Sequence, residues 1–300
     1  MTQLTPPTSN TTHHYYVPDH SYWPIIGAVG LGILVWGLVG MIHDISKIHH
    51  VLTFGLGMAI MLFLIAGWFH SVIKESMGGL YSPQMDRSFR ISMIWFIFSE
   101  VMFFAAFFGA LFFVRMFALP WLSGAPGHYE LTGQLLWPDF VYNWPLLHNP
   151  DPSIAGPQST IPAMGIPLIN TVLLLSSGVT VTWAHYALKK NNRRNLNIGL
   201  FLTIALAIVF LGFQAYEFSH AYNDLGLTLN SGIYGSTFFM LTGFHGLHVT
   251  IGTIMLMVIL FRSLVGHFSP DHHFAFEATA WYWHFVDVVW VGLFIFVYIF

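Results

Sequence analysis

Residues 275–300 read AFEATAWYWHFVDVVWVGLFIFVYIF, and the reading of this stretch decides the architecture. At 1.5 Å per residue a helix of this length exceeds the ~30 Å hydrocarbon core of a bilayer. The apolar residues do not alternate as a spanning strand would require, and a helix satisfies its own backbone in lipid. Asp287, midway along, costs about 2.5–3.5 kcal/mol to insert, so its carboxyl needs a partner. His284 stands three residues before it, on the same helical face. The preceding run, 233–264, repeats the pattern with His245 and His248 in FHGLHV.

Working outward, five further stretches are long and apolar enough to cross a membrane: 23–42, 51–73, 91–117, 168–188 and 196–219. The chain is therefore read as an all-α polytopic membrane protein with seven transmembrane helices. Its composition agrees, with 55% hydrophobic and 8% charged residues and a mean hydropathy of +0.65. The absence of cysteine excludes disulfides, thiolate metal sites and thiol nucleophiles. A net charge of −3 gives no reason to expect nucleic acid. Residues 1–22 lack the basic, apolar and small-residue order of a signal peptide and are expected to form a polar tail.

Basic residues orient the chain. Lys74, Arg87, Arg90, Lys189, Lys190, Arg193, Arg194 and Arg262 fall in or beside alternate connections, leaving only Lys47 and Arg115 for the other side. The positive-inside tendency places the N-terminus and the connections after the second, fourth and sixth spans inside, and the C-terminus outside. Residues 74–90 then form an inner loop between the first two helices (23–73) and the rest (91–300). The outer connection, about 119–167, holds nine of the fifteen prolines together with Glu130, Asp139 and Asp151, and no lysine or arginine. Connections this long are usually functional or docking surfaces.

Glu100, in WFIFSEVMFFAAFF, lies about 14 Å into the third apolar run. Phe96, Phe103, Phe104 and Phe107 share its face, so desolvation favours the neutral acid. It reads equally as a proton-relay carboxyl or as packing glue. His245, His248, His284 and Asp287 could ligate zinc or iron. A buried hydrogen-bond network between the sixth and seventh helices is the favoured reading, because unpaired polar groups are so costly in lipid. Glu217 and His220 are expected at the interface, and His185 in a structural role. His13, His14, His20, His267, His272 and His273 are expected on the inner face, where they either collect protons or remain ordinary solvated loop residues.

The segments GSTFFMLTGFHGLHVTIGT (235–253), FEATAWYWHFVDVVW (276–290), FIFSEVMFFAAFF (96–108), INTVLLLSSGVTVTWAH (169–185) and VIKES (72–76) closely resemble the third-subunit family of haem-copper cytochrome c oxidases. The resemblance runs from about Trp23 to the C-terminus. It implies an accessory subunit of a complex that reduces oxygen with electrons from cytochrome c and moves protons. Haem and copper would belong to partner subunits I and II, with no metal or redox centre in this chain. The resemblance also implies two bundles, helices one and two against helices three to seven, splayed into a V whose cleft holds phospholipid. Lys74, Glu75, Arg87, Arg90 and Arg262 are the matching head-group candidates. Glu100 matches the family's intramembrane glutamate on the proton-input side.

Two departures weaken the lipid carry-over: Tyr81-Ser82-Pro83 stands where mitochondrial relatives have His-Thr-Pro, and Phe69 replaces a tryptophan. The long outer connection is similar to that of bacterial relatives, which favours a bacterial inner membrane over a mitochondrial one. Third subunits of quinol oxidases or nitric oxide reductases remain alternatives within the family. Outside it, the alternatives are a proton-coupled transporter built on Glu100 and Asp287, or a metalloenzyme using His245, His248 and His284.

Overall fold

The structure, a computed structural model, describes residues 16–17, 20–43, 47–124 and 130–300. Most of the N-terminal tail, with His13 and His14, lies outside these residues. Among the described residues nine α-helices appear in order: α1 (Trp23–Ile42), α2 (Lys47–Met77), α3 (Pro83–Phe113), the short α4 (Leu119–Leu122) and α5 (Glu130–Leu136), α6 (Ile166–Lys189), α7 (Arg193–Asn223), α8 (Ile233–Leu264) and α9 (Phe274–Leu293). Seven spans are long and apolar enough to cross a membrane, as expected, and the described residues contain no strand.

The expected inner loop at 74–90 is much shorter, because α2 runs on to Met77 and α3 already begins at Pro83. Proline suits a first helical position, where its missing N–H costs nothing. The Ser82 hydroxyl accepts from the Met85 N–H at 3.4 Å, and Asp86 lies in the first turn, where the helix dipole favours an acid. Hydropathy alone missed these turns because PQMDRSFR is polar. The far end of the third span passes through a π-helical turn, Val114–Ala118, just before Pro120, which has no N–H to continue the ladder. The span from α9 likewise ends in a π-helical segment, Phe294–Ile299.

The chain divides into two compact units, residues 1–89 and 90–300. In the first, α1 and α2 pack as a hairpin whose buried α1 positions are Gly30, Gly37 and Gly40. Within the hairpin, backbone comes nearest to backbone where a Cβ on Gly37 would lie 2.4 Å from the Phe54 nitrogen, and one on Gly57 the same distance from the Leu34 nitrogen. Only glycine admits backbone this near, the usual device for close helix pairs in membranes.

In the second unit α6 packs against α7 and α9, and α8 against α7 and α9. Its core holds Trp283, Trp290, Phe210 and Phe238, all essentially inaccessible. The residues of α3 in this unit join through a phenylalanine face: Phe103 meets Phe244 edge-on at 5.1 Å, and Phe104 lies 6.0 Å from Phe285.

Candidate functional site

Polar groups of α6 to α9 are spent on cross-helix hydrogen bonds. The Trp283 and Trp290 indoles donate to Ser177 and Thr171 of α6, each at 2.9 Å. Thr180 and Thr203 join α6 to α7 at 2.7 Å, and Ser263 of α8 donates to Asn197 of α7 at 2.6 Å. Each bond satisfies a group that would be expensive to leave bare in lipid.

The two deep acids are handled alike. His248 Nε2 lies 2.8 Å from Glu100 Oε2, while its Nδ1 lies 2.6 Å from the Phe244 carbonyl. A carbonyl only accepts, so Nδ1 carries a hydrogen and a single proton is left between Nε2 and the carboxyl. Whether this proton resides on oxygen or nitrogen, the pair is neutral overall. The rings named with Glu100 in the sequence surround this partner: Phe104 meets His248 edge-on at 5.0 Å, Phe103 lies 5.9 Å away, and Phe96 stacks on Tyr282.

Asp287 repeats the arrangement more loosely. Its Oδ2 is 3.5 Å from His284 Nδ1, and His284 Nε2 is 3.2 Å from the Thr182 hydroxyl. Thr182 already donates to the Gly178 carbonyl at 2.8 Å, so Nε2–H donates to it and Nδ1 faces the acid, whose Oδ1 is buried without a hydrogen-bond partner. Gly178 provides the space, since a Cβ there would sit 2.4 Å from Asp287 Oδ2.

His245, wholly buried, reaches the Val286 carbonyl at 3.2 Å. Of the four side chains expected to pin the sixth span to the seventh, His245 alone does so by a hydrogen bond, although the His248 backbone carbonyl accepts from Tyr282 of α9 at 3.4 Å. His248 ties α8 to α3, and the His284–Asp287 pair ties α9 to α6. The correction has a simple cause, because helical spacing fixes which residues share a face but not which helix that face meets. Nor do the four converge as one ligand set, each imidazole being directed to different acceptors.

Other expectations change too. Glu217 is 1% exposed and accepts from the Tyr298 hydroxyl at 2.6 Å, so it is buried rather than interfacial. Its place near a helix end suggested otherwise, but the C-terminal turn of the last span folds a tyrosine onto it. His220 is half-buried and pairs with Asp224 at 2.7 Å. His273 is 8% exposed rather than a solvated loop residue, whereas His272 is exposed. Among the head-group candidates Lys74 and Arg87 are exposed, and Glu75 accepts from Tyr81 at 2.7 Å. Arg90 is paired with Glu277, while Arg262 is turned inward, with its guanidinium 4.7 Å from the centre of the Phe268 ring. Burial and its hydrogen bond to Glu75 push the Tyr81 phenol above its ordinary range, whereas hydrogen bonds from Ser153 hold Asp151, on the outer connection, below the usual carboxylate value.

The family model for cytochrome c oxidase subunit III matches residues 13–124 and 153–300, passing over 125–152 within the connection at about 119–167. The chain is 41% identical over 292 residues to the cytochrome c oxidase subunit 3 of Drosophila melanogaster, and 39% identical over 291 residues to that of Dugong dugon. The subunit 3 of Hippopotamus amphibius is 40% identical over 291 residues. Each alignment covers 97% of this chain and 98% of the relative. The chain belongs to the cytochrome c oxidase subunit III family.

Proposed function

We propose that this chain is an accessory subunit of a proton-pumping cytochrome c oxidase, stabilising the catalytic subunit and holding lipid beside redox centres carried by subunits I and II. The observation that carries this reading is the hydrogen bond that joins the deep acid Glu100 of α3 to His248 of α8. His248 reaches Glu100 through one ring nitrogen and the Phe244 carbonyl through the other, and His284 stands between Asp287 and Thr182, so these groups fasten helices.

The first three spans supply the outward-looking surface. Only 17%, 11% and 11% of their most apolar windows are buried, against 33–44% in the other four, so lipid and partner helices are expected to cover them. Exposed Lys74 and Arg87 would attract anionic head groups by about 1 kcal/mol each at the inner surface. Glu75, Arg90 and Arg262 would then support that surface through Tyr81, Glu277 and Phe268. The N-terminus faces the cytoplasm of a bacterial cell, and Glu100 lies on the proton-input side.

The test is purification through a C-terminal tag in mild detergent, with haem, copper and phospholipid measured on the product. Haem- and copper-bearing partners and bound phospholipid are expected, and deletion of the chain should lower oxygen consumption. A chain that purifies alone, and whose deletion leaves respiration unchanged, would overturn the assignment. Substrate-dependent proton flux in liposomes containing only this chain would instead support the transporter.

A further inference from the structure

At the inner ends of α6 and α9 three side chains unused by the polar ladder converge. His185 Nε2 and His273 Nε2 lie 3.6 and 3.4 Å from Glu277 Oε1, and the three ligand atoms all fall within 4.8 Å of one another. The cluster is well enclosed, with His273, Glu277 and His185 side chains 7%, 12% and 20% exposed. Arg90 takes the other carboxylate oxygen, Oε2, which leaves Oε1 turned to the two rings. His273 donates through Nδ1 to the Ser269 carbonyl at 3.2 Å, so its Nε2 presents a lone pair. Both Nε2 atoms are buried without a hydrogen-bond partner.

The His273 lone pair directed at a carboxylate oxygen repels it unless something positive sits between them. We propose that His185, His273 and Glu277 form a reversible binding site for a divalent transition-metal ion of the zinc class, clamping the inner end of α6 to that of α9. Bonds of 2.0–2.2 Å to imidazole nitrogen and carboxylate oxygen place ligand atoms roughly 3.3 Å apart in a tetrahedron, close to both histidine–carboxylate separations. The fourth position would hold water. The ordering of His273 by a backbone carbonyl through its second nitrogen is the usual outer support of a metal-bound imidazole. Arg90 neutralises the only carboxylate, so the ion would bring uncompensated charge. That argues for an ion that comes and goes with its concentration rather than a permanent structural metal.

The test uses the full chain in mild detergent with Zn2+ alone as the probe, in a His13→Asn/His14→Asn background that removes the tail histidines. Its readout is metal binding by this polypeptide, so it stands or falls separately from the oxidase assignment. Equilibrium dialysis should find one Zn2+ per chain above the level of a His185→Gln/His273→Gln variant, and X-ray absorption should show two imidazole nitrogens on that ion. Each single histidine variant should weaken binding more than about 100-fold, beyond what loss of a mere outer partner costs. Glu277→Gln, which still offers Arg90 an acceptor, should weaken it as well, and the exposed control His272→Gln should bind like the parent. If the histidine variants lose helicity, Glu277→Gln alone decides. Unchanged affinity in the folded variants, or no Zn2+ above the double-variant level, would overturn the proposal and leave a proton or water between the rings.

Discussion

The α1–α2 hairpin and the unit built on α6 to α9 solve the same problem, holding helices together where water cannot drive them, by different means. In the hairpin glycines bring backbone against backbone, at Gly37 facing Phe54 and Gly57 facing Leu34, and dispersion between close surfaces does the work. In the larger unit the helices are joined by hydrogen bonds from Trp283, Trp290, Thr180, Ser263, His245 and His248. The hairpin therefore spends no buried charge and leaves most of its apolar surface outward. The larger unit spends polar groups that fix partner and register, at the risk that losing one partner strands the other.

That contrast can be broken most forcefully at His248. His248→Leu should leave the Glu100 carboxyl without its imidazole and cost about 3–5 kcal/mol, read as a fall in the thermal midpoint of the detergent-solubilised protein. A fall no larger than that of a surface substitution would remove the distinction between the units. Next in size, Gly57→Val should push against Leu34 backbone and cost about 1–3 kcal/mol. Hydrogen exchange followed by mass spectrometry should show faster exchange in α1 and α2 with α6–α9 unchanged. Acceleration throughout would show that the hairpin is not separately held.

Tyr298→Phe removes a single donor from buried Glu217 and should cost about 1–2 kcal/mol, with exchange rising at the outer end of α7. The smallest effect concerns a polar contact at the end of α2, Tyr81 to Glu75. The folded-state phenol titrates above its unfolded value near 10, so the tie's contribution is complete below that pH and is lost as pH rises through the folded value. The stability difference between the parent and Tyr81→Phe should stay constant to about pH 9 and shrink above about pH 10. A difference that grows with pH would reverse the sign.

The seven spans were legible because a run such as 233–264 announces itself by hydropathy alone. Helix ends were less so: the polar turns from Pro83 to Arg90 are helical because Ser82 and Pro83 start them, a signal in capping rather than hydropathy. Among the site residues, Glu100, His245, His248, His284 and Asp287 stood out as costly in lipid, and all are engaged. Their partners were hidden. Glu100 and His248 are 148 residues apart, and nothing local says that α3 faces α8. Glu217 was misjudged for the same reason, its partner Tyr298 arriving 81 residues later. The cluster of His185, His273 and Glu277 is likewise assembled only when α6 meets the start of α9.

The most direct test of the claim that the deep acids and imidazoles act as neutral, helix-fastening pairs is a double-mutant cycle at Glu100 and His248. Thermal midpoints would be measured for the parent, Glu100→Leu, His248→Leu and the double variant. If one shared proton binds the pair, each single change strands its partner, and the double variant should lose far less than the sum, with a coupling of about 1.5–3 kcal/mol. Additive losses would mean that the two side chains are stabilised independently and would contradict the account.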